Sequence, residues 1–220
     1  MKIDPRLLFL MRRMRQVSER RFPQKKINAV DIGCADGSFM EAASANLEQI
    51  ERMHGIDVPS RWLREDAIKR SGKLYLQDLQ AGTGQVPLGI YHIATLWEVI
   101  EHIENAYEFL RNVGKMLEPQ GMVLISTPNL TSLSRLVKGS RWVGISEKDH
   151  KYLFDRLSLA MLLERAGFCE IRIRSYYFPS IGERLDTANE LMSLIPFGGM
   201  LYAEAKKKTE DKQFESIAAL

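Results

Sequence analysis

Between residues 28 and 127, short runs of apolar residues alternate with segments in which apolar side chains recur every three or four positions. The runs predict buried strands, and the periodic segments predict helices between them. The predicted strands lie at 28–32, 53–57, 74–76, 90–96 and 122–127. The predicted helices follow the stripe Phe39, Ala43, Leu47 and Ile50, the segment 59–69, and the stripe Ala106, Phe109, Leu110, Val113 and Leu117. Repeated strand–helix units favour an α/β fold, a mostly parallel sheet with helices on both faces.

The two ends of the chain depart from this alternation. Asp4-Pro5 is typical of a helix N-cap followed by proline in the first turn, and it predicts a first helix over about residues 5–20. Residues 128–150 are predicted to form a long loop, a kind of segment that often carries function. The rest is predicted to be a helix capped by Asp155, a strand at 171–175, an insertion at 179–199 and a last strand at 200–205.

No linker or repeat divides the chain, so we predict a single domain. Residues 1–26 are expected to be a basic amphipathic helix that acts as a lid or a docking arm. Residues 27–206 are expected to form the folded domain, and residues 207–220 a charged tail.

Composition adds little to this picture. The 220 residues are 45% apolar and 27% charged, as in an ordinary globular domain that buries a full core. No stretch is apolar for long enough to span a membrane, and the N-terminus lacks the pattern of a signal peptide. The two cysteines, Cys34 and Cys169, fit a reducing compartment, so we expect a cytoplasmic location.

The distribution of charge is more informative than its sum. The formal net charge is +3, which disfavours nucleic acid as a partner but leaves it open. Residues 1–26 hold nine basic and two acidic side chains, a net +7, so the remaining chain carries −4. The basic charge therefore belongs to the predicted first helix.

A glycine-containing turn lies between the first predicted strand and the helix that follows it. Gly33 and Gly37 allow the backbone to bend tightly and to approach a ligand closely. Asp57 ends the second strand at the spacing suited to accept hydrogen bonds from ribose hydroxyls, and Asp78 follows the third strand. Because these strand ends meet at one edge of a parallel sheet, they predict a nucleotide-type crevice there.

The turn does not match the dinucleotide fingerprint G-x-G-x-x-G, because Ala35 lies between the two glycines. The stretch from Asp31 to Gly37 instead resembles the first motif of class I S-adenosylmethionine-dependent methyltransferases, D/E-x-G-x-G-x-G, with Ala35 in place of the middle glycine. This resemblance implies S-adenosylmethionine as the cofactor. The cofactor-binding residues it implies are Asp31, Gly33, Cys34, Gly37, Asp57, Asp78, Leu79 and Trp97.

Further motifs follow in the order of that family. Glu98-Val99-Ile100-Glu101-His102 resembles its "EVIEH" stretch, and Ser126-Thr127-Pro128-Asn129 its "STPN" strand end. Residues 150–168 resemble the segment that ends in L-L-E-x-A-G-F. The chain is most similar in these motifs to the ubiquinone-biosynthesis-type O-methyltransferases and the methyltransferase domain 23 group. The resemblance implies a Rossmann-like seven-stranded sheet in the order 3-2-1-4-5-7-6.

Three polar side chains after the fourth strand form the sharpest chemical cluster. Glu98, Glu101 and His102 stand at positions i, i+3 and i+4, so a helix would place them on one face. They could bind a divalent metal, supply a base or serve only the structure, and the three roles stay open. Small-RNA 2′-O-methyltransferases use such a set with a downstream histidine, for which His150 is the candidate here. His102 and His150 are also candidate catalytic bases.

The expected function is methyl transfer from S-adenosylmethionine to a small-molecule acceptor, at oxygen. The acceptor is expected under the loop 128–150 and the insertion 179–199, with Trp142, Tyr176, Tyr177 and Phe178 as candidate pocket residues. A metal-dependent RNA 2′-O-methyltransferase and a non-catalytic S-adenosylmethionine-binding protein are the alternatives. A dinucleotide oxidoreductase is disfavoured by the glycine spacing. The pattern predicts neither the acceptor nor the oligomeric state.

Overall fold

The computed structural model describes residues 5–176 and 195–209. Its seven strands form one sheet in the order β3-β2-β1-β4-β5-β7-β6, which confirms the predicted order. The strands are β1 Ile27–Ile32, β2 Ile50–Asp57, β3 Leu74–Leu76, β4 Tyr91–Trp97, β5 Leu117–Pro128, β6 Phe168–Tyr176 and β7 Met200–Lys207. The first five strands pair in parallel, and β7 runs antiparallel between β5 and β6.

Helices cover both faces of the sheet. They are α1 Pro5–Arg21, α2 Ser38–Asn46, α3 Glu65–Ser71, α4 Ala106–Met116, α5 Leu133–Lys138, α6 Val143–Ser146 and α7 Arg156–Arg165. One core lies between the sheet and α4 and α7, and it includes Leu110 and Leu163. The second core lies under α1 and α2, and it includes Met14 and Met40. In the described residues, no helix is both long and apolar enough to cross a membrane.

The first helix extends over the predicted segment and is part of the folded core. Met14 and Val17 are fully buried on its apolar face, and Phe9 stacks on Tyr176 with ring centroids 4.4 Å apart. The basic residues on its other face give α1 the amphipathic pattern that was expected. Whether this helix acts as a lid or a docking arm stays a prediction.

Some element boundaries were wrong. The helix expected to reach Ile50 ends at Asn46, since Leu47 is extended and Ile50 already belongs to β2. The helix expected from residue 59 begins only at Glu65. β7 continues through Lys207, so the predicted charged tail begins inside a strand. Ile50 fits both periodicities, and its pairing with Ile27 of β1 decides for the strand. Lys206 and Lys207 join β7 because they pair with β6.

The segment 128–150, predicted to be a loop, contains two short helices, α5 and α6, and a 3₁₀ turn at Gly139–Arg141. Ser132 caps α5, because its side chain accepts a hydrogen bond from the Arg135 N–H at 3.2 Å. Of the predicted insertion, residues 179–194 lie outside the described residues. The remainder pairs with this segment, since the Leu133 N–H donates to the Phe197 carbonyl at 3.0 Å.

Candidate active site

The turn after β1 requires glycine at two positions. Gly33 has a φ of +73°, and a Cβ there would lie 2.5 Å from Val99 Cγ2. Gly37 has a φ of +76° and is the N-cap of α2, and a Cβ there would lie 2.9 Å from Ile68 Cγ1. Both backbone conformations are in the left-handed region that favours glycine. The turn therefore brings bare backbone to the carboxyl end of β1, as the motif predicts.

Asp57 is held against this turn from the end of β2. Its carboxylate accepts hydrogen bonds from the Ala35 N–H and from its own neighbour, the Val58 N–H, each at 2.7 Å. A carboxylate has about four lone-pair sites, so it keeps capacity for further donors. Asp78 lies after β3, where its side chain accepts the Gln80 N–H at 2.9 Å. The two acidic groups thus stand at neighbouring strand ends.

A cavity of about 530 Å³ opens where these strand ends meet. It is of the size typical of small-molecule and cofactor sites. Of the residues predicted to bind the cofactor, Gly33, Asp57, Asp78 and Leu79 line this cavity. The other four, Asp31, Cys34, Gly37 and Trp97, are not part of its wall.

Asp31 and Cys34 lie buried behind the turn. The Thr95 hydroxyl donates to Asp31 Oδ1 at 2.6 Å. Burial raises the pKa of Asp31 to about 7, against the opposing effect of that hydrogen bond. Burial, reinforced by Asp31, also raises the pKa of the Cys34 thiol above its usual range. These two side chains therefore support the turn from below rather than facing the cavity.

Trp97 packs on the opposite face of the sheet, in the core under α1 and α2. Its ring meets Phe39 edge-on at a centroid distance of 5.2 Å and stacks on Tyr202 at 6.4 Å. The alternation of side chains along β4 explains this direction, because Trp97 is one position beyond Leu96, which faces the other core.

A second cavity of about 470 Å³ adjoins the first. Four residues line both cavities and so form their common wall: Trp62, Glu98, His102 and Asp149. Further residues of the second cavity come from α1, the segment 128–150 and the ends of β6 and β7, and include Arg6, Val143, His150 and Tyr176. The predicted acceptor segment 128–150 thus lines a cavity.

The other candidate pocket residues do not join Tyr176 in this wall. Trp142 is 2% exposed and is not part of it, because its ring packs inside the segment 128–150 against Gly144. Tyr177 and Phe178 lie outside the described residues.

Trp62 was missed by the sequence analysis. Trp62 follows β2 and is 63% exposed, although its side chain is large and apolar. The Arg61 guanidinium lies 4.7 Å from the centre of its ring, a cation–π contact. A tryptophan in a polar loop five positions after Asp57 is the signal that could have identified it, since loops at the carboxyl ends of parallel strands bind ligands.

The expectation that Glu98, Glu101 and His102 share one helix face was wrong. Only Ile100–His102 form a 3₁₀ turn, and Glu98 precedes it with a φ of +55°. Glu101 therefore turns inward and is 1% exposed, with its Oε2 accepting the Thr127 hydroxyl at 2.9 Å. Its Oε1 is buried without a hydrogen-bond partner among the described residues, and burial raises the pKa of this carboxyl to about 7.

His102 and His150 lie next to each other, with ring centroids 4.8 Å apart. The Nδ1 of His102 is 3.2 Å from the Asp149 carbonyl, and the Nδ1 of His150 is 3.0 Å from the Gly144 carbonyl. A carbonyl oxygen can only accept, so each Nδ1 donates, and in a neutral ring with this tautomer Nε2 keeps its lone pair. In that form each ring can accept a proton or bind a metal through Nε2.

A carboxylate oxygen of Glu101 and one ring nitrogen each of His102 and His150 could bind a metal, and these three atoms lie within 4.8 Å of one another. A carboxylate and two imidazoles are ligands that suit zinc and other first-row divalent metals. Glu98, which the motif had placed in this set, is not part of the group.

Residues 7–171, three-quarters of the chain, match a family model described as a methyltransferase domain. The chain belongs to this methyltransferase domain family. Its fold is that of the class I S-adenosylmethionine-dependent methyltransferases. Three features of the methyltransferase agree with this assignment: the glycine turn, the carboxylate at the end of β2 and the order of the seven strands.

Curated relatives of the methyltransferase include ubiquinone biosynthesis O-methyltransferases. That of Rickettsia conorii is 31% identical over 110 residues, which cover 48% of this chain and 36% of the relative. That of Rickettsia felis is 31% identical over 114 residues, 48% of this chain and 43% of the relative. The mitochondrial protein of Schizosaccharomyces pombe is 31% identical over 121 residues, which cover 53% of this chain and 42% of the relative. The match therefore spans less than half the length of each of these relatives.

Solved structures share the fold over nearly the whole chain. A SAM-dependent methyltransferase from Archaeoglobus fulgidus aligns with a TM-score of 0.61 at 20% identity, over 90% of this chain and 94% of that one. A plantazolicin methyltransferase, solved with a triazolic desmethylPZN analog and SAH, aligns with a TM-score of 0.67 at 13% identity, over 93% and 85%. At these identities the likeness concerns the fold.

The residues present fit S-adenosylmethionine. Gly33 leaves a cradle that a Cβ would fill, and the Asp57 carboxylate is placed to accept hydrogen bonds from a ribose. The carboxylates of Asp57, Asp78 and Glu98 make the wall of the first cavity acidic, which suits a cationic sulfonium ligand.

Proposed function

We propose that this methyltransferase transfers a methyl group to a hydroxyl oxygen of a small-molecule acceptor. The observation that carries the proposal is the common wall of the two cavities, formed by Trp62, Glu98, His102 and Asp149. One cavity has the features of a cofactor site, and the other has room for a small molecule beside it. When bound, S-adenosylmethionine supplies an electrophilic methyl group. Holding two reactants side by side supplies much of the rate enhancement through proximity and orientation.

The cofactor site is proposed to be the first cavity. Asp57 would accept hydrogen bonds from the ribose hydroxyls, and Gly33 would allow close approach of the backbone. Asp78 and Leu79 would line the adenine side. Asp31 and Gly37 would act through the turn, since neither lines the cavity.

The proton of the acceptor hydroxyl needs a base, and two histidines face the acceptor cavity. The Nε2 of His102 or of His150 can take the proton, because Nδ1 of each ring donates to a backbone carbonyl. His102 lines both cavities, so it lies nearest to the place of transfer, and we assign it the role of the base. His150 would orient the acceptor beside it.

A labelling experiment tests this function. The purified protein is incubated with S-adenosylmethionine carrying an isotope-labelled methyl group and with a metabolite extract of a strain that lacks its gene. We expect mass spectrometry to detect one labelled small molecule with the methyl on oxygen, and we expect no such product with the Asp57→Ala variant. A labelled product with the methyl on nitrogen or carbon, or label found only in RNA, would contradict the proposal.

The group formed by Glu101, His102 and His150 favours a second candidate, a metal-dependent RNA 2′-O-methyltransferase. In that case the three side chains would hold a divalent metal, which would supply Lewis-acid chemistry to a hydroxyl at an RNA end. Activity on a short RNA that EDTA abolishes and Mn²⁺ or Mg²⁺ restores would support this candidate. Activity on a small molecule that EDTA leaves unchanged would exclude it.

A further inference from the structure

A small cavity of about 70 Å³ lies between α1 and the edge of the sheet formed by β6 and β7. The described part of its wall holds four arginines, two from α1 and two from β6: Arg13, Arg20, Arg172 and Arg174. We call them the arginine cluster. One acidic residue, Glu204 of β7, lies in the same described wall, so its charged side chains sum to +3. None of these residues lines the two cavities of the candidate active site, so the proposed function does not use them.

The fold brings the arginine cluster together from distant parts of the sequence. Arg174 pairs with Tyr202 of β7, which belongs to the core under α1, and paired residues point to the same face of a sheet. Arg172 lies two positions before Arg174, so it points to that face as well. Arg13 and Arg20 are seven positions apart on α1, which is about two turns, so they share one side of the helix. The cavity is therefore built by the packing of α1 on the edge of the sheet.

The charges in this cavity favour an anion. Glu204 forms an ion pair with Arg20, and the side chain of Glu204 is only 12% exposed. The Arg13 guanidinium lies 5.8 Å from the centre of the Tyr202 ring, a cation–π contact that fixes a second positive charge beside the cavity. Four guanidinium groups thus share a small cavity with one carboxylate in its described wall. A bound anion would reduce the repulsion among these like charges.

A buried hydroxyl in the same wall gives a second, independent indication of a ligand. Tyr202 is 3% exposed, and its hydroxyl oxygen makes no hydrogen bond with the described residues. Burial, and then the charge of Glu204, raises the pKa of Tyr202 well above its usual value, so the hydroxyl stays protonated. Arg13 and Arg20 act on this pKa in the opposite direction. Since these three charged groups line the cavity, the hydroxyl beside them faces it and can donate to a ligand there.

We propose that the arginine cluster binds one phosphate group of a small phosphorylated molecule. A guanidinium group presents a planar fork of N–H donors that matches two phosphate oxygens at a time. The Tyr202 hydroxyl would donate to a further oxygen. The cavity volume of about 70 Å³ gives room for about five water-sized atoms, and a phosphate group has five heavy atoms. The rest of the molecule would extend into solvent past Arg172, which is exposed.

Helix α1 connects the phosphate site with the acceptor cavity. Phe9 lies one turn before Arg13 and stacks on Tyr176, which lines the acceptor cavity. A phosphate group bound to both α1 and β6 would hold the helix against the sheet. A ligand that binds only the folded state stabilises it by mass action, so binding should be visible as an increase in thermal stability.

Calorimetric titration of the full chain with inorganic phosphate and with pyrophosphate tests the proposal, at an ionic strength held constant with chloride. We expect one binding site per chain, and a melting temperature that rises by about 2–4 °C when the phosphate concentration is several times the Kd. The double variant Arg172→Gln/Arg174→Gln should bind at least 10-fold more weakly, because it lacks two charged donors. Tyr202→Phe keeps the ring and should bind about 5-fold more weakly, because it lacks the hydroxyl donor.

The double variant Arg70→Gln/Arg165→Gln is the matched control, since it removes the same charge from exposed positions on α3 and α7. It should bind phosphate like the wild type, and circular dichroism should show that all variants are folded. Absence of binding of both probes to the wild type would overturn the proposal. An equal loss of affinity in the two double variants would do the same, because it would indicate general charge attraction. Binding of a short RNA without binding of phosphate or pyrophosphate would also overturn it.

Discussion

Replacement of Asp31 by asparagine is expected to change how stability depends on pH. The asparagine side chain would keep the shape of the protonated carboxyl group and still accept the Thr95 hydroxyl, but it cannot ionise. Burial raises the pKa of Asp31 from 3.8 to about 7 in the folded protein. Unfolding exposes the group, and its pKa returns to the usual value. Between pH 3.8 and about 7, Asp31 therefore holds a proton in the folded state and has lost it in the unfolded state.

The sign follows from this difference in bound protons. The carboxyl group contributes its full stability below pH 3.8, and that contribution is lost as the pH rises through about 7. At 1.36 kcal/mol for each pH unit between the two pKa values, the total loss is about 4 kcal/mol. About 2 kcal/mol of it falls between pH 5.5 and 8.5. The asparagine variant should lack this loss.

Urea denaturation at pH 5.5 and 8.5, with linear extrapolation, measures the effect. The free energy of unfolding of Asp31→Asn, relative to wild type, should increase by about 2 kcal/mol between the two pH values. The control is Asp66→Asn, because Asp66 is exposed on α3 and should shift by less than about 0.5 kcal/mol. A relative stability of the Asp31 variant that is equal at the two pH values would refute the raised pKa.

Three further predictions concern the turn and the two cavities. Asp57→Ala should weaken the binding of S-adenosylmethionine at least 10-fold, as measured by calorimetry. The reason is that the variant lacks the proposed hydrogen-bond acceptor for the ribose and the hydrogen bond from the Ala35 N–H. An unchanged affinity would exclude the first cavity as the cofactor site. Gly33→Ala should destabilise the fold by about 2–4 kcal/mol in urea denaturation, from backbone strain and the contact with Val99. The control Gly89→Ala, with a φ of +67° and open space, should cost only about 1–2 kcal/mol, and equal costs would contradict the contact. His102→Gln should lower the rate of methyl transfer about 10²- to 10⁴-fold, and a greater loss in His150→Gln than in His102→Gln would move the base to His150.

The alternation of strands and helices and the position of the crevice were predictable because they depend on local patterns, whereas the order of the strands was predicted only from the family resemblance. The turn needs glycine at positions 33 and 37, because the backbone there has positive φ angles. Asp57 is placed by the end of a strand, which the apolar run before it defines. Parallel strand ends then converge by topology alone.

The arrangement of the acidic cluster was not predictable from spacing. The positions i, i+3 and i+4 share a face only in a continuous helix, and here the chain enters a single 3₁₀ turn after Glu98 at a φ of +55°. Glu101 is therefore buried with Thr127 instead of standing beside Glu98. The contact between His102 and His150 depends on the path of residues 128–150, which local sequence does not determine.

The common wall of the two cavities connects these observations. Glu98 holds a left-handed conformation that a side chain rarely adopts, and such strain persists where the surrounding structure requires it. It lies between β4 and the turn that buries Glu101, so the same bend of the chain directs one carboxylate into both cavities and the other into the core. A regular helix at this point would place Glu98, Glu101 and His102 on one face. The bend is therefore the feature that keeps Glu98 in the common wall of the two cavities and Glu101 in the core.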